Sequence, residues 1–84
     1  MKITLKLFAS LGVHLPPECR SRLWMELELP PGATLLDALQ CQGVPPAQCA
    51  IVLLDGVWVP VAELSSRVLQ EGQVLAVWPP VAGG

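Results

Sequence analysis

The chain has 84 residues, which suffices for one compact domain and is too short for a multidomain enzyme. Its composition, 52% hydrophobic and 14% charged, argues against intrinsic disorder, because this much apolar surface offsets the chain entropy lost on folding. The net charge of −2 provides no basic surface for phosphates, which argues against nucleic acid and acidic membranes as partners.

The first predicted element is a strand over residues 2–7. Lys2, Thr4 and Lys6 alternate with apolar residues, which is the period of a half-buried strand. Lys6 interrupts the apolar stretch near the start, which argues against a secretory signal, and no apolar run reaches the roughly 20 residues of a membrane span.

A loop and a second strand follow. Residues 12–22 contain Gly12, Pro16 and Pro17 and predict a loop that returns the chain as a hairpin, because prolines lack the donor that a sheet requires. Residues 23–29 alternate again and predict a strand whose inward residues are Leu23, Met25, Leu27 and Leu29, with Trp24 on the wetter face.

A helix is predicted to begin at Thr34. Its hydroxyl can accept from an orphan amide, while Asp37 lies in the positive first turn. The i, i+3, i+4 spacing of Leu35, Ala38 and Leu39 predicts the buried stripe, and Gly43 ends the helix.

The second half of the chain predicts three more strands. Asp55-Gly56 tolerates the positive φ angles of a type I′ turn, so residues 51–54 and 57–61 are expected to form a hairpin. Residues 74–78 form the last predicted strand, with Leu75 and Val77 inward and Ala76 and Trp78 outward. This order predicts an α+β domain with a mixed sheet packed against a helix.

The last six residues cannot continue a sheet. Two prolines and two glycines in Pro79-Pro80-Val81-Ala82-Gly83-Gly84 favour an extended, flexible C-terminal tail, which at about 3.3 Å per residue could reach roughly 20 Å. We therefore expect a domain over residues 1–78 and a protruding tail over 79–84.

Other candidate sites are weaker. Cys19, Cys41 and Cys49 contain no C-x-x-C pair, and with His14 they lack the ligand spacing of zinc sites, so we expect structural thiols, no metal and a reducing, cytoplasmic setting. Glu26 and Glu28 resemble a carboxylate pair for hydrolysis, but alternating outward charges indicate solvating residues. Packing or interface roles are expected for the remaining aromatic candidates, Trp24 and Trp58.

The strand that runs into Trp78-Pro79-Pro80-Val81-Ala82-Gly83-Gly84 carries a family resemblance. Together with the Asp55-Gly56 hairpin and the helix entry Pro31-Gly32-Ala33-Thr34, it resembles the MoaD/ThiS sulfur-carrier family over nearly the whole chain. The ending is most similar to that of the molybdopterin synthase small subunit. The resemblance implies a ubiquitin-like β-grasp fold, in which the first and last strands are parallel neighbours.

The resemblance also implies a chemistry for the tail. An E1-like adenylyltransferase would use ATP to adenylate Gly84, and a persulfide sulfur would then leave a thiocarboxylate that donates sulfur in molybdenum cofactor biosynthesis. The acceptor would be a pterin precursor on a large subunit, within a heterotetramer of two small and two large chains. This chain would bind no cofactor and would not be catalytic alone.

Residues in the tail and at its root are the candidates for these steps. Gly83 and Ala82 would pass through a narrow channel of the activating enzyme, where a Cβ on Gly83 or Gly84 would widen the tail and restrict its dihedral angles. Partners would dock on an apolar surface at the root of the tail, formed by Trp78, Pro79, Pro80, Val81 and Ala76. The alternative for Trp78 is that it folds back and caps the edge of the core.

Three other functions remain open from the sequence. The same sulfur chemistry could serve thiamine or cysteine biosynthesis. The chain could instead be a ubiquitin-like modifier joined through Gly84 to lysines of other proteins. It could also be a binding module in which the Gly-Gly ending is incidental.

Overall fold

A computed structural model describes residues 1–80 of the chain. Within them, one mixed sheet has the strand order β2-β1-β5-β3-β4, and β1 and β5 are its parallel pair. The predicted order of five strands and one helix along the chain is confirmed, as is the α+β class. The elements are β1 (Lys2–Leu7), β2 (Trp24–Glu28), α1 (Leu35–Cys41), β3 (Ile51–Leu54), β4 (Val57–Trp58) and β5 (Val74–Trp78).

The first two strands form the predicted antiparallel hairpin, with Ile3 opposite Leu27 and Leu5 opposite Met25. The prediction that β2 begins at Leu23 is wrong, because Leu23 has φ of +67° and the strand begins at Trp24. The N–H of Leu23 donates to the carbonyl of Cys19, and its own carbonyl accepts from the N–H of Leu7. Leu23 therefore turns the chain into the strand.

The predicted loop between these strands contains local structure. The chain forms two 3₁₀ turns, Ala9–His14 and Pro17–Cys19, and buries Leu11, Leu15 and Cys19 in the main core. Proline is compatible with such turns because the first residues of a helical turn need no donor. The connection between β1 and β2 is thus part of the core.

The capped helix is confirmed. The Thr34 hydroxyl accepts from the N–H of Asp37 at 3.2 Å, and the Asp37 carboxylate accepts from the N–H of Thr34 at 2.9 Å. Leu35, Ala38 and Leu39 are fully buried, as the spacing predicts. Gly43 ends the helix with φ of +72°, a conformation that glycine adopts without steric cost.

The hairpin around Asp55-Gly56 is confirmed, with positive φ angles at both turn residues. Its second strand is shorter than predicted, since β4 ends at Trp58. Pro60 lacks the N–H needed to extend the ladder and precedes a 3₁₀ turn over Val61–Glu63.

The sheet has two different faces. The inner face packs with α1 and the connecting turns into one hydrophobic core, whose strand residues include Ile3, Leu5, Leu7, Val52, Leu75 and Val77. The opposite face, which we call the open face, carries the alternate residues of each strand. It includes Trp78, the last residue of β5.

Candidate functional site: the open face around Trp78

The end of β5 presents Ala76 and Trp78 on the open face, while Leu75 and Val77 are buried on the inner face. The predicted outward direction of Ala76 and Trp78 is confirmed, but Ala76 offers little surface to a partner, because only 8% of it is accessible. Its short side chain lies between its cross-strand neighbours, Lys6 on β1 and Leu53 on β3. Ala76 therefore contributes little contact surface of its own.

Trp78 is half-buried, and its ring stacks on that of Phe8. The ring centroids are 4.3 Å apart and the planes differ by 8°. Neither aromatic ring belongs to the hydrophobic core, so Trp78 does not cap the core edge. Phe8 directly follows β1 and was not predicted to contribute to this site.

The strand register extends the apolar surface from Trp78 toward the opposite edge of the sheet. Ile51 is opposite Trp78, Leu53 is opposite Ala76, and Trp58 is opposite Leu53. Trp58 is 61% exposed and Ile51 is 47% exposed. We call this surface the apolar patch, and its members are Phe8, Ile51, Leu53, Trp58, Ala76 and Trp78.

The other half of the open face is polar. It is formed by β1 and β2 and carries the residues Lys2, Thr4, Lys6, Trp24, Glu26 and Glu28. At its edge, the guanidinium of Arg22 lies 4.0 Å from the centroid of the Trp24 ring. Glu26 and Glu28 are exposed, which agrees with a solvating role.

The two exposed tryptophans of the open face are too far apart to stack on one base or sugar. Trp24 lies on β2 and Trp58 on β4, at opposite edges of the sheet, and four strand spacings separate them by about 19 Å. The Arg22 guanidinium also lies against one face of the Trp24 ring. Trp58 is therefore the tryptophan that extends the apolar patch.

The sheet hydrogen bonds along β5 end at Trp78. The carbonyl of Val77 accepts from the N–H of Phe8 at 3.1 Å, and the carbonyl of Trp78 accepts from the N–H of Ala50 at 2.9 Å. Pro79 is half-buried and Pro80 is exposed, and neither has an N–H to donate. The predicted site residues Val81, Ala82, Gly83 and Gly84 lie outside the described residues, so their roles stay predictions.

The cysteines are not brought together. All three are free thiols; Cys41 is exposed, whereas Cys19 and Cys49 are buried. Burial raises the pKa of the Cys49 thiol. In the described part of the chain, no three His, Cys, Asp or Glu side chains converge as metal ligands, and no helix there has the length and apolar character needed to cross a membrane.

The structure is similar to known structures over its full length. With SAMP1 (small archaeal modifier protein 1) from Haloferax volcanii, the TM-score is 0.68 at 26% identity, covering 100% of both chains. With SAMP1 from Methanosarcina acetivorans, it is 0.64 at 20% identity, covering 99% of this chain and 96% of the other.

A third similar structure is the protein–protein complex of subunits 1 and 2 of the molybdopterin-converting factor from Helicobacter pylori. The TM-score is 0.56 at 17% identity, covering 100% of both chains. No protein-family model and no curated protein matches the chain. The low identities make these similarities a statement about the fold, which is the one that the sequence resemblance predicts.

Proposed function

We propose that this chain, a ubiquitin-like β-grasp protein whose structural neighbours are consistent with the MoaD/ThiS family, is a sulfur carrier that acts as the small subunit of molybdopterin synthase. The observation that carries the proposal is the position of the apolar patch. It surrounds Trp78, directly before the residues Pro79-Pro80-Val81-Ala82-Gly83-Gly84. A docking surface and the reacting segment are thus adjacent.

The proposed chemistry takes place at the Gly84 carboxyl group. A carboxylate resists attack because its charge is delocalised and oxide is a poor leaving group. The activating partner transfers AMP from ATP to the carboxylate and releases pyrophosphate. A persulfide of the sulfur-supplying partner then displaces AMP, and a thiol cleaves the S–S bond, leaving the sulfur on Gly84 as a thiocarboxylate.

The carrier's own contribution is presentation. The thiocarboxylate sulfur is a nucleophile, and holding it beside the acceptor raises its effective concentration. The carrier itself needs no acid, base, metal or cofactor for this step. The large subunit binds the pterin precursor, and this precursor accepts the sulfur.

The apolar patch is the proposed docking surface for both partners. Exposed apolar clusters commonly mark protein interfaces, and tryptophan is enriched among the residues that dominate binding energy. Trp58 and Ile51 supply exposed area, whereas Trp78 connects the patch to Pro79 and Pro80.

The subunit complex from Helicobacter pylori supports a large-subunit partner, and we propose two chains of each kind in the assembly. The free thiols fit a cytoplasmic setting.

A second candidate function is attachment to other proteins as a ubiquitin-like modifier. The similarity to SAMP1 favours it, since that protein is a small archaeal modifier. Both functions use the same adenylated Gly84, and they differ in the acceptor. A lysine amine would give an amide bond to the target protein, whereas a persulfide gives the thiocarboxylate. Delivery of sulfur to thiamine or cysteine biosynthesis uses the same first steps.

Intact-mass measurement of the protein from its native cells tests the proposal. A carrier shows the mass gain of one sulfur replacing one oxygen, located at Gly84 by fragmentation. A modifier shows heavier covalent adducts with target proteins. Copurification of a molybdopterin synthase large subunit supports the proposed pathway. Protein with neither modification, in cells that make molybdenum cofactor, would contradict both functions.

A further inference from the structure

Phe8 is fixed at the junction between β1 and the following 3₁₀ turn. Its N–H donates to the carbonyl of Val77 at 3.1 Å, and its own carbonyl accepts from the N–H of Leu11 at 3.1 Å. The next residue, Ala9, has φ of +53°. A residue other than glycine occupies this left-handed region only where the surrounding structure holds it there.

This backbone arrangement determines where the Phe8 ring lies. The turn at Ala9 directs the chain away from the sheet immediately after Phe8, so Phe8 remains beside the end of the parallel neighbour β5. Its ring then stacks on Trp78, with 4.3 Å between the centroids. Parallel, closely spaced rings of this kind favour one relative orientation of the two side chains.

Trp78 is consequently held on two sides. Phe8 contacts its ring from the β1 side, and Ala50 donates its N–H to the Trp78 carbonyl from the β3 side. Pro79 and Pro80 cannot donate further sheet hydrogen bonds. The point at which the chain leaves the sheet is therefore set at Trp78.

We propose that Phe8 is a positioning residue for delivery of the Gly84 carboxyl group, acting through Trp78. The inference rests on the proposed function. A reacting group is presented most effectively when few free torsions separate it from the docked body, since each additional one lowers the population of the reactive geometry. By stacking on the Trp78 ring, Phe8 holds Trp78 in one conformation. The torsions of Trp78 are then not added to those between Trp78 and Gly84.

The first test requires no partner. Phe8→Leu keeps an apolar side chain but removes the planar face, and Phe8→Tyr keeps the stack. We expect hydrogen exchange of the Ala50 amide to accelerate at least several-fold in Phe8→Leu and to return toward the wild-type rate in Phe8→Tyr. The Val59 amide, which donates to Val52 elsewhere in the sheet, serves as the internal control and should not change. Unchanged exchange at Ala50 in Phe8→Leu would overturn the proposal.

The second test separates positioning from partner contact. With the E1-like adenylyltransferase of the same organism, adenylation of Phe8→Leu should show a several-fold lower kcat, and Phe8→Tyr should recover most of this loss in kcat. A higher KM with unchanged kcat would mean that Phe8 only contacts the partner, and would overturn the proposal. If the wild-type chain is not adenylated, the proposed function fails, and the Ala50 exchange still decides whether Phe8 holds the end of β5.

Discussion

Asp55 and Val74 are joined by two reciprocal hydrogen bonds between a hairpin turn and the start of the last strand. The Asp55 carboxylate accepts from the N–H of Val74 at 2.8 Å, and the N–H of Asp55 donates to the carbonyl of Val74 at 2.8 Å. The turn between β3 and β4 is thereby attached to β5. This attachment aligns the strands that form the apolar patch.

Removing the Asp55 side chain should therefore destabilise the fold. Asp55→Ala loses the hydrogen bond to Val74 and places alanine at φ of +49°, for a combined loss of about 1–3 kcal/mol in the free energy of unfolding. Asp55→Asn keeps an acceptor oxygen and a residue that tolerates this φ, so it should lose much less. Urea denaturation of the two variants compares them directly. If both variants lose the same free energy of unfolding, the carboxylate charge of Asp55, and not its hydrogen bond to Val74, stabilises the fold.

The apolar patch predicts that Trp58 is important for partner binding. Trp58→Ala should weaken binding to the molybdopterin synthase large subunit by about tenfold or more, because an exposed interface tryptophan commonly contributes this much binding energy. Stability should change little, because Trp58 is 61% exposed. The measurement is calorimetric titration of the wild-type and variant chains.

Trp24→Ala is the matched control for Trp58→Ala. Trp24 is an exposed tryptophan on the same face, but it lies at the opposite edge, in the polar half. The Trp24→Ala substitution should leave the affinity for the large subunit near the wild-type value. Equal losses from the two substitutions would mean that the interface is not centred on the apolar patch.

Substitution at Gly84 should separate function from stability. Gly84→Ala adds a Cβ next to the proposed reacting carboxyl group, and we expect thiocarboxylate formation to fall far more than the melting temperature. Intact-mass spectrometry after incubation with the activating enzyme, ATP and a sulfur donor measures thiocarboxylate formation. Thermal unfolding measures the melting temperature. Normal sulfuration of the variant would contradict the assignment of Gly84.

The helix cap predicts a stability effect that is independent of function. Thr34→Ala removes the hydroxyl that accepts from Asp37 and should lower the free energy of unfolding by about 1 kcal/mol. Thr34→Ser keeps the hydroxyl and should lie near the wild-type value. Chemical denaturation of both variants tests the capping box, and a Thr34→Ala protein as stable as the wild type would show that the cap contributes nothing.

The buried Cys49 thiol predicts a pH dependence at alkaline pH. Its folded-state pKa is raised by burial, so the unfolded chain releases this proton at a lower pH than the folded chain does. The associated stability is complete below the unfolded pKa and is lost as pH rises through the folded pKa. As the pH rises above the ordinary thiol pKa of about 8.5, the free energy of unfolding should thus fall more steeply in the wild type than in Cys49→Ala. Parallel pH profiles would argue against this linkage.

Features decided within a few residues could be predicted from the sequence. The Thr34 cap needs only Asp37 three positions later, and the Asp55-Gly56 turn needs only residues that tolerate positive φ. The start of β2 at Trp24 could not be predicted. Leu23 is left out of the strand because its conformation depends on hydrogen bonds with Cys19 and Leu7. The alternation of apolar residues includes Leu23, so the sequence pattern predicts that the strand begins one residue earlier.

The candidate site was predicted only in part for the same reason. The sequence predicts Trp78 as a docking residue because it is an apolar residue at the root of the tail. Phe8, Ile51 and Trp58 become its neighbours through strand pairings between distant segments of the chain, which a single sequence does not specify. The burial of Ala76 could not be predicted either, because it depends on the pairing of β5 with β1 and β3, which places Lys6 and Leu53 on its two sides.

The brevity of β4 has a consequence for the behaviour of the free protein. A long, flat, apolar edge next to an apolar surface invites other molecules to add strands and form fibrils. Here that edge is two residues long, and Pro60 follows shortly after it. At this edge, the protein can therefore leave the apolar patch exposed while it offers little backbone on which an aggregate could grow.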